Sequence, residues 1–587
     1  MENPFQSKIF TPIPSSNDHI FGSSSWHSPV RPDVLELYLK LTDYDTDKTN
    51  YLVSGFYYGF FIGHDGLLNN CIVENDSSIS QLKDEALSKV LKEVSLKRIA
   101  GPFDAIPDEF KDDFHTSPCK IIPKKDPGSY RLLHNLSFPY DGSSINCNID
   151  DEKKRVTYES IIDAIKKICE FLPGASLAKE DILDAFRLLP KHPTEFKKLF
   201  FSIGDQIFCD LAGSMGCSSI CKMFEEVSSA LHHIFLNVHK LLFRFCTFPI
   251  PRSLQNSHSL LMRQQPSAVM ESNGNLSHMV DDFLFINSSH RACEQDVANF
   301  HQLCQDLGIP IALHKSSRPD TSVIFLGFTL DTIAQTASLP RDKIAQYSAD
   351  IKAFLECRRF PLRTCQALAG KLSFASAVVP ARAFLRRLFD FIRSYEDQVQ
   401  FAFLSRELKA DLITWLQFLD EYNGTTFYRL SDPFVDTGIH IASDACDFGF
   451  GAIYGKKWIQ GIYPVDCKNV NINCKELFPV IVMVELFGPT WANSIVRLHT
   501  DNMSTMVAVN KQTSKSASMM VLIRRLVMLL VKFNIHLRSQ HVAGALNILP
   551  DLISRFRVST TLLNEYNMDL HPTDIPQSLW PVSSTFK

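Results

Sequence analysis

Two apolar runs, Leu276 to Val280 and Phe283 to Ile286, flank a pair of acids at Asp281-Asp282, and Asn275 and Asn287 bound the stretch. The pattern predicts a strand, a tight acidic turn and a return strand. A surface hairpin is the plainer reading, since Asp112-Asp113 and Asp150-Asp151 also occur, both in polar surroundings. Only Asp281-Asp282 runs straight into a segment suited to a core. Unpaired ionised carboxylates beside a core destabilise by several kcal/mol each, and a divalent cation is their natural partner.

The same reading extends along the chain. Residues 1–30, rich in Ser, Pro and Asn, predict a flexible N-terminus. Residues 31–100 have globular patterning, with aromatics from Gly55 to Phe61 and a helix expected over Ser80 to Lys97, but no assignable chemistry. Ser117 to His134 predicts a hairpin with a Lys-Lys-Asp-Pro-Gly turn. It is either a solvated basic turn or a flap whose Lys124 and Arg131 clamp a triphosphate. A strand ends at Asp181, with Asp184 one helical turn on and Phe186 five residues after Asp181. Asp181 can meet Asp281 and Asp282 if the strands are neighbours. Gly216 lies in a small-residue turn that opens a helix over Ser218 to Phe235, and it permits close approach of backbone to a nucleotide or template. Residues 236–274, broken by Pro249, Pro251 and Pro266, predict a mobile insertion that adds no element. Gln295 to Leu307 predicts a helix, with strands at Leu313 to Lys315 and Val323 to Leu330.

Residues 340–422 switch to helical periodicity and carry many cations, among them Lys352, Arg358, Arg359, Arg363, Lys371, Arg382, Arg386, Arg387 and Arg393. These are solvated faces or a wall along a phosphate backbone. In the last third, strands end at Asp444 and Asp501. Asn473 is the expected N-cap of a helix with Glu476 in its first turn, and His541 to Gly544 leads into a terminal helix containing Asp551. Each acid suits a helix start or strand end by itself. Recurring in the order strand, helix, strand, helix, the four predict a second site for two metal ions about 4 Å apart.

Composition limits the partners little. At 587 residues, 45% hydrophobic and 21% charged, the chain is long enough for several domains. A net charge of −4 argues against a surface that coats nucleic acid generally, but allows a basic channel. Fifteen cysteines without a C-x-x-C pair suggest reduced core thiols. No signal peptide or spanning segment is expected, which predicts a soluble cytoplasmic or nuclear protein, neither secreted nor membrane-bound.

Lys124 to Arg131, Asp181 to Phe186, Gly216, Met279 to Asp282, Lys315 and Leu326-Gly327 resemble the fingers and palm of a reverse transcriptase in order and spacing. Asp444, Glu476, Asp501, His541 and Asp551 resemble the DEDD-plus-histidine site of RNase H. Gly370 to Arg387, with Leu52 to Phe56 and Ala100 to Phe103, is similar to DIRS and Ngaro retrotransposons, the tyrosine-recombinase class. The resemblance implies an α+β multidomain fold. Its expected parts are an N-terminal extension (31–100), fingers (101–175), a ferredoxin-like palm (176–335), a helical thumb or connection (336–432), an RNase H-like α/β domain (433–558) and a C-terminal tail (559–587). It implies an RNA-directed DNA polymerase with ribonuclease H activity, using two Mg²⁺ ions (or Mn²⁺) per site. Partners would be an RNA template, a DNA primer, their hybrid, dNTPs and a separate tyrosine recombinase. Asp181, Asp281 and Asp282 would hold the polymerase metals, and Asp444, Glu476, Asp501 and Asp551 those of the nuclease. Lys124, Arg131, Asp184, Phe186, Gly216 and Lys315 would serve the nucleotide, with Phe186 as a steric gate and Lys315 as a donor to pyrophosphate. His541 would assist proton transfer or product release. The chain departs from the family at Met279, where an aromatic is usual, at the Gly-Ser-Met-Gly turn and at 236–274. A catalytically degenerate nucleic-acid-binding descendant is the competing expectation.

Overall fold

A computed structural model of the chain describes residues 28–68, 70–124, 128–245, 274–357, 360–396, 401–426 and 438–586. The flexible N-terminus expected at 1–30 and the insertion expected at 236–274 therefore lie largely outside the described residues. The chain divides into two compact units, Met1–Leu326 and Gly327–Lys587. Together they form a multidomain α+β architecture.

The first unit holds strands β1 (Ile99–Phe103), β2 (Cys119–Pro123), β3 (Tyr130–His134), β4 (Ser176–Asp181), β5 (Phe200–Ile203), β6 (Gln206–Asp210), β7 (Asn275–Met279), β8 (Asp282–Asn287) and β9 (Ser322–Phe325). Its main helices are α1 (Pro32–Leu41), α2 (Thr46–Tyr58), α3 (Lys83–Ser95), α4 (Ile161–Ile168), α5 (Ile220–Phe245) and α6 (His290–Leu307). Strands β4, β8 and β7 form an antiparallel sheet with β8 in the middle. The central place follows from the sequence, because every side chain from Phe283 to Ile286 is buried and a strand apolar on both faces needs cover on both. Helix α5 packs against β7, and α6 against β4 and β8. Helices α1 and α2 belong to the same core, where Leu35, Leu39, Leu52 and Phe56 join Phe224, Phe283 and Phe285. The β2–β3 hairpin packs Cys119, Ile121, Tyr130 and Leu132 on α3 and the β1-β6-β5 sheet.

Several element bounds differ from expectation. The helix expected over Ser80 to Lys97 is broken at Leu82, because Asp76 caps a separate turn at Ser77–Gln81 by accepting from the Ser78 N–H. Helix α5 continues ten residues beyond Phe235 into the expected insertion, since no proline intervenes before Pro249. Leu313 to Lys315 is a turn and not a strand: the Lys315 N–H donates to the Ala312 carbonyl at 2.8 Å.

In the second unit, β10 (Phe328–Asp331) and β11 (Thr336–Ser338) precede helices α7 (Arg341–Glu356), α8 (Leu362–Ala375), α9 (Arg386–Arg393) and α10 (Arg406–Glu421). The expected basic wall is partly spent within the protein. Lys371 pairs with Asp350, Arg386 and Arg393 with Asp390, and Arg387 shares the buried Asp411 with Arg524. Five strands follow: β12 (His440–Ala445), β13 (Gly449–Tyr454), β14 (Lys457–Ile462), β15 (Ile495–Thr500) and β16 (His536–His541). Their order is β14-β13-β12-β15-β16, antiparallel in the first three and parallel from β12 to β16. Helices α11 (Ile472–Phe487), α12 (Met503–Lys511), α13 (Ala517–Lys532), α14 (Ile548–Ser554) and α15 (Thr560–Glu565) complete it. This is the RNase H-type topology that the resemblance implied.

Helix α11 is buried almost all round, which fits its uninterrupted apolar run. Pro479 lies inside it and cannot donate to the Lys475 carbonyl. The buried Tyr463 hydroxyl donates to that carbonyl instead, at 2.7 Å. The start differs from expectation: Asn471, not Asn473, is the N-cap, so Glu476 falls beyond the first turn.

Candidate functional site

Two acidic groups form, one in each unit. In the first, Asp181 ends β4 directly opposite Asp282, the first residue of β8. Cross-strand partners share a face, so both carboxylates stand on one face at one end of the sheet. Asp281 lies in the intervening turn, where its carbonyl accepts from the Ile182 N–H at 3.0 Å. The turn is therefore Val280-Asp281, one residue earlier than the acidic pair suggests. Val280 has φ +57°, an unusual conformation for a β-branched residue. Helix α5 enforces it: Glu225 Oε2 accepts the Val280 N–H at 2.9 Å, and the Ser228 hydroxyl donates to the Val280 carbonyl.

Lysines balance this group. Lys315 Nζ lies 2.8 and 3.0 Å from the two Asp181 oxygens. Lys179 Nζ lies 2.8 Å from Asp282 Oδ1, close enough to pair but outside hydrogen-bond geometry. Burial pushes Asp181 up and Lys315 opposes the rise. Asp281 is pushed up to about 6, first by burial and then by Asp181 and Asp282. Among the described residues, Asp181, Asp281 and Asp282 are not one of the groups whose ligand atoms all lie within 4.8 Å.

The nucleotide candidates fall in different places. Lys124 and Arg131 are both exposed, and with Tyr130 and Leu132 packed in the core Arg131 projects from the opposite face of the hairpin. Asp184 adopts φ +51° and pairs at 3.0 Å with Arg98. Phe186 is half-buried, edge-on to Phe224 at 6.1 Å. Gly216 does permit a close approach, but to protein. A Cβ there would stand 1.8 Å from the His134 carbonyl oxygen, at φ +127°. Its glycine is needed to dock the hairpin.

In the second unit, Asp444, Glu476 and Asp501 bring ligand oxygens within 4.8 Å of one another. Parallel pairing of β12 with β15 places the ends of both strands side by side. Burial, then Asp444 and Asp501, raises Glu476 from 4.5 to about 9, and its Oε2 is buried without a hydrogen-bond partner. Burial likewise raises Asp444 to about 6, against the Ser554 hydroxyl that donates to it at 2.5 Å. Asp551 stands outside the cluster, paired with Arg555 at 2.7 Å. His541 Nε2 lies 3.1 Å from the Asp501 carbonyl oxygen. An orphaned carboxylate oxygen among converging acids fits a divalent cation, and three oxygens of this kind suit Mg²⁺ or Mn²⁺.

Sequence reasoning did not single out Lys179, Glu225, Ser228, Ser554 or Arg555. Two had a readable signal: Lys179 precedes Asp181 by two residues on the same strand face, and Arg555 follows Asp551 by four, at the C-cap of the same helix. The others meet their partners only through tertiary packing.

No family model matches the chain, and no curated protein matches it. Solved structures do. It is similar to a foamy viral protease-reverse transcriptase in complex with an RNA/DNA hybrid, at 12% identity and TM-score 0.46, covering 88% of this chain and 64% of that one. A foamy viral protease-reverse transcriptase in complex with dsDNA is similar at 12% identity and TM-score 0.43, with 87% and 97% covered. The chain thus spans just under two thirds of the first of these. Scores this low leave the chemistry to be judged from the residues themselves. No helix among the described residues is long and apolar enough to cross a membrane.

Proposed function

We propose that the chain is an RNA-directed DNA polymerase with ribonuclease H activity, encoded by a DIRS/Ngaro-type retrotransposon. The observation that carries this reading is the convergence of Asp444, Glu476 and Asp501 around an unpartnered carboxylate oxygen on the five-stranded sheet. A hybrid-cutting nuclease has work only where RNA is the template, and the acids of β4 and β8 supply the matching polymerase site in the same chain. Bound Mg²⁺ or Mn²⁺ would lower the pKa of the attacking oxygen and neutralise charge on the reacting phosphate.

Asp181, Asp281 and Asp282 would hold the polymerase metals. Lys179 and Lys315 balance the acids in the metal-free protein, and Lys315 would serve the pyrophosphate. Lys124 and Arg131 present their charges to the triphosphate, and Phe186 bears on the sugar. Asp184 contributes from beside Arg98, and Gly216 acts indirectly by seating the hairpin. In the nuclease, Asp444, Glu476 and Asp501, with Asp551 once Arg555 releases it, would hold the metals, and His541 would move a proton beside Asp501. Template RNA, primer DNA, their hybrid and dNTPs are the partners, with a tyrosine recombinase as a separate polypeptide.

A second reading has an observation of its own. The palm acids are held by lysines, and Met279 precedes the turn where an aromatic is usual, as in a degenerate binding protein. Primer extension on an RNA template, with and without Mg²⁺, separates the two. Extension that needs Mg²⁺ supports the enzyme, and tight hybrid binding without extension or cleavage supports the binder.

A further inference from the structure

Behind the strained turn lies a group of side chains that neither acidic site uses. Glu159, His232 of α5 and His278 of β7 bring ligand atoms within 4.8 Å of one another. The two imidazoles face each other through Nδ1, 2.7 Å apart, and Glu159 Oε1 lies 3.8 Å from His232 Nδ1. His278 is 5% exposed. We propose that Glu159, His232 and His278 form a binding site for a zinc-class transition-metal ion, which braces the turn carrying Asp281.

The ligand set differs in kind from the two carboxylate groups. Two imidazoles and one carboxylate favour zinc-class ions over Mg²⁺, which prefers oxygen. The surroundings resemble a built metal site. His278 Nε2 lies 3.2 Å from Glu225 Oε1, so a carboxylate orients the imidazole and leaves Nδ1 as the unprotonated nitrogen, turned toward His232. The Ser277 hydroxyl donates to Glu159 Oε2 at 2.6 Å, fixing the carboxylate with Oε1 toward the histidines. Burial, with His278 and Lys167 nearby, lowers His232 to about 2; the neutral ring donates its Nδ1–H to His278 Nδ1, and that proton must move to Nε2 for Nδ1 to ligate. Lys167, 2.8 Å from both Glu159 oxygens, is the resident cation. It also donates to the Leu276 carbonyl at 2.7 Å, and that bond can persist while Oε1 turns to an ion. Tetrahedral zinc separates ligand nitrogens by about 3.3 Å, so the rings must part by roughly half an ångström. Three protein ligands leave the fourth position to water.

The site is coupled to the catalytic turn through one residue. Glu225 receives His278 on one oxygen and the Val280 N–H on the other. An ion on His278 Nδ1 would strengthen that Nε2–H donor and so fix the carboxylate that holds Val280 at positive φ.

The test uses the full chain, stripped of metal and dialysed against limiting Zn²⁺ with Mg²⁺ in large excess. One zinc per chain is expected in the wild type and in Asp281→Asn and Asp501→Asn, and that equivalent should be missing in His232→Gln and His278→Gln. Co²⁺ in place of Zn²⁺ should give the visible absorption of a four-coordinate nitrogen and oxygen site, without the sulfur charge-transfer band that cysteine ligation would add. Zinc bound equally by the wild type and the histidine variants would overturn the proposal. So would a folded wild-type chain lacking that Co²⁺ band, a measurement needing no variant. Neither readout depends on polymerase or nuclease activity.

Discussion

Glu476→Gln should stabilise the metal-free protein at neutral pH while abolishing hybrid cleavage. Glu476 is 6% exposed, with one oxygen unpartnered, and its protonation midpoint is raised from 4.5 to about 9 by burial and by Asp444 and Asp501. The folded value lies above the unfolded one. Stability from this group is therefore complete below pH 4.5 and is lost as pH rises toward 9. At pH 7 the fold holds a proton that the unfolded chain has released. At about 1.4 kcal/mol per pH unit above 4.5, the penalty is about 3 kcal/mol. Glutamine has the same shape and no proton to hold. In chelator at pH 7 the variant should therefore be the more stable by about that amount, with the advantage vanishing near pH 4.5. Hydrogen exchange over β12 and α11 reads the effect locally, which a chain of two units requires. Mg²⁺ at about a hundredfold above its Kd should add about 2.7 kcal/mol to the wild type and much less to the variant. Parallel pH profiles for the two proteins in chelator would refute the reasoning.

Three further outcomes are expected. Asp281→Asn should abolish primer extension on RNA and leave hybrid cleavage largely intact, because the two acidic groups belong to different units; loss of both in a folded variant counts against that division. Phe186→Ala should relax the preference for dNTPs over rNTPs by about tenfold; an unchanged preference with a lower Tm would make Phe186 part of the core beside Phe224 only. Gly216→Ala should destabilise by about 2 kcal/mol or more, since the new Cβ meets the His134 carbonyl at positive φ, and thermal unfolding measures it.

What could be read in the sequence was local and periodic. The alternation around Asp281-Asp282, the Phe283 to Ile286 run and the strand ends at Asp444 and Asp501 each fix a side chain relative to its own backbone, and the structure keeps them. The start of α11 was misjudged by two residues, because Asn471 and Asn473 are both good caps and only packing chooses between them. Gly216 was read correctly as a close approach but toward the wrong neighbour. A glycine signals lack of space, not what fills it. The grip of α5 on Val280 was out of reach, since Glu225 and Ser228 lie more than fifty residues from the turn they hold and repeat no pattern with it.

The two acidic groups solve one electrostatic problem in different ways. Each gathers carboxylates that would repel one another without a cation. At β4 and β8 the charge is met by Lys179 and Lys315, reaching in from a strand and a turn. At β12, α11 and β15 no lysine lies within pairing distance of Asp444, Glu476 or Asp501 among the described residues, and protonation of Glu476 meets it at neutral pH instead. Metal binding at the first group would displace amines that remain charged. A metal entering the second expels protons, so its binding must strengthen with pH across the range where Asp444 and Glu476 titrate. The first group thus meets its charge with fixed cationic side chains in the metal-free protein. In the second group Glu476 holds a proton at neutral pH in the metal-free protein, so a metal ion and that proton compete for the same carboxylate.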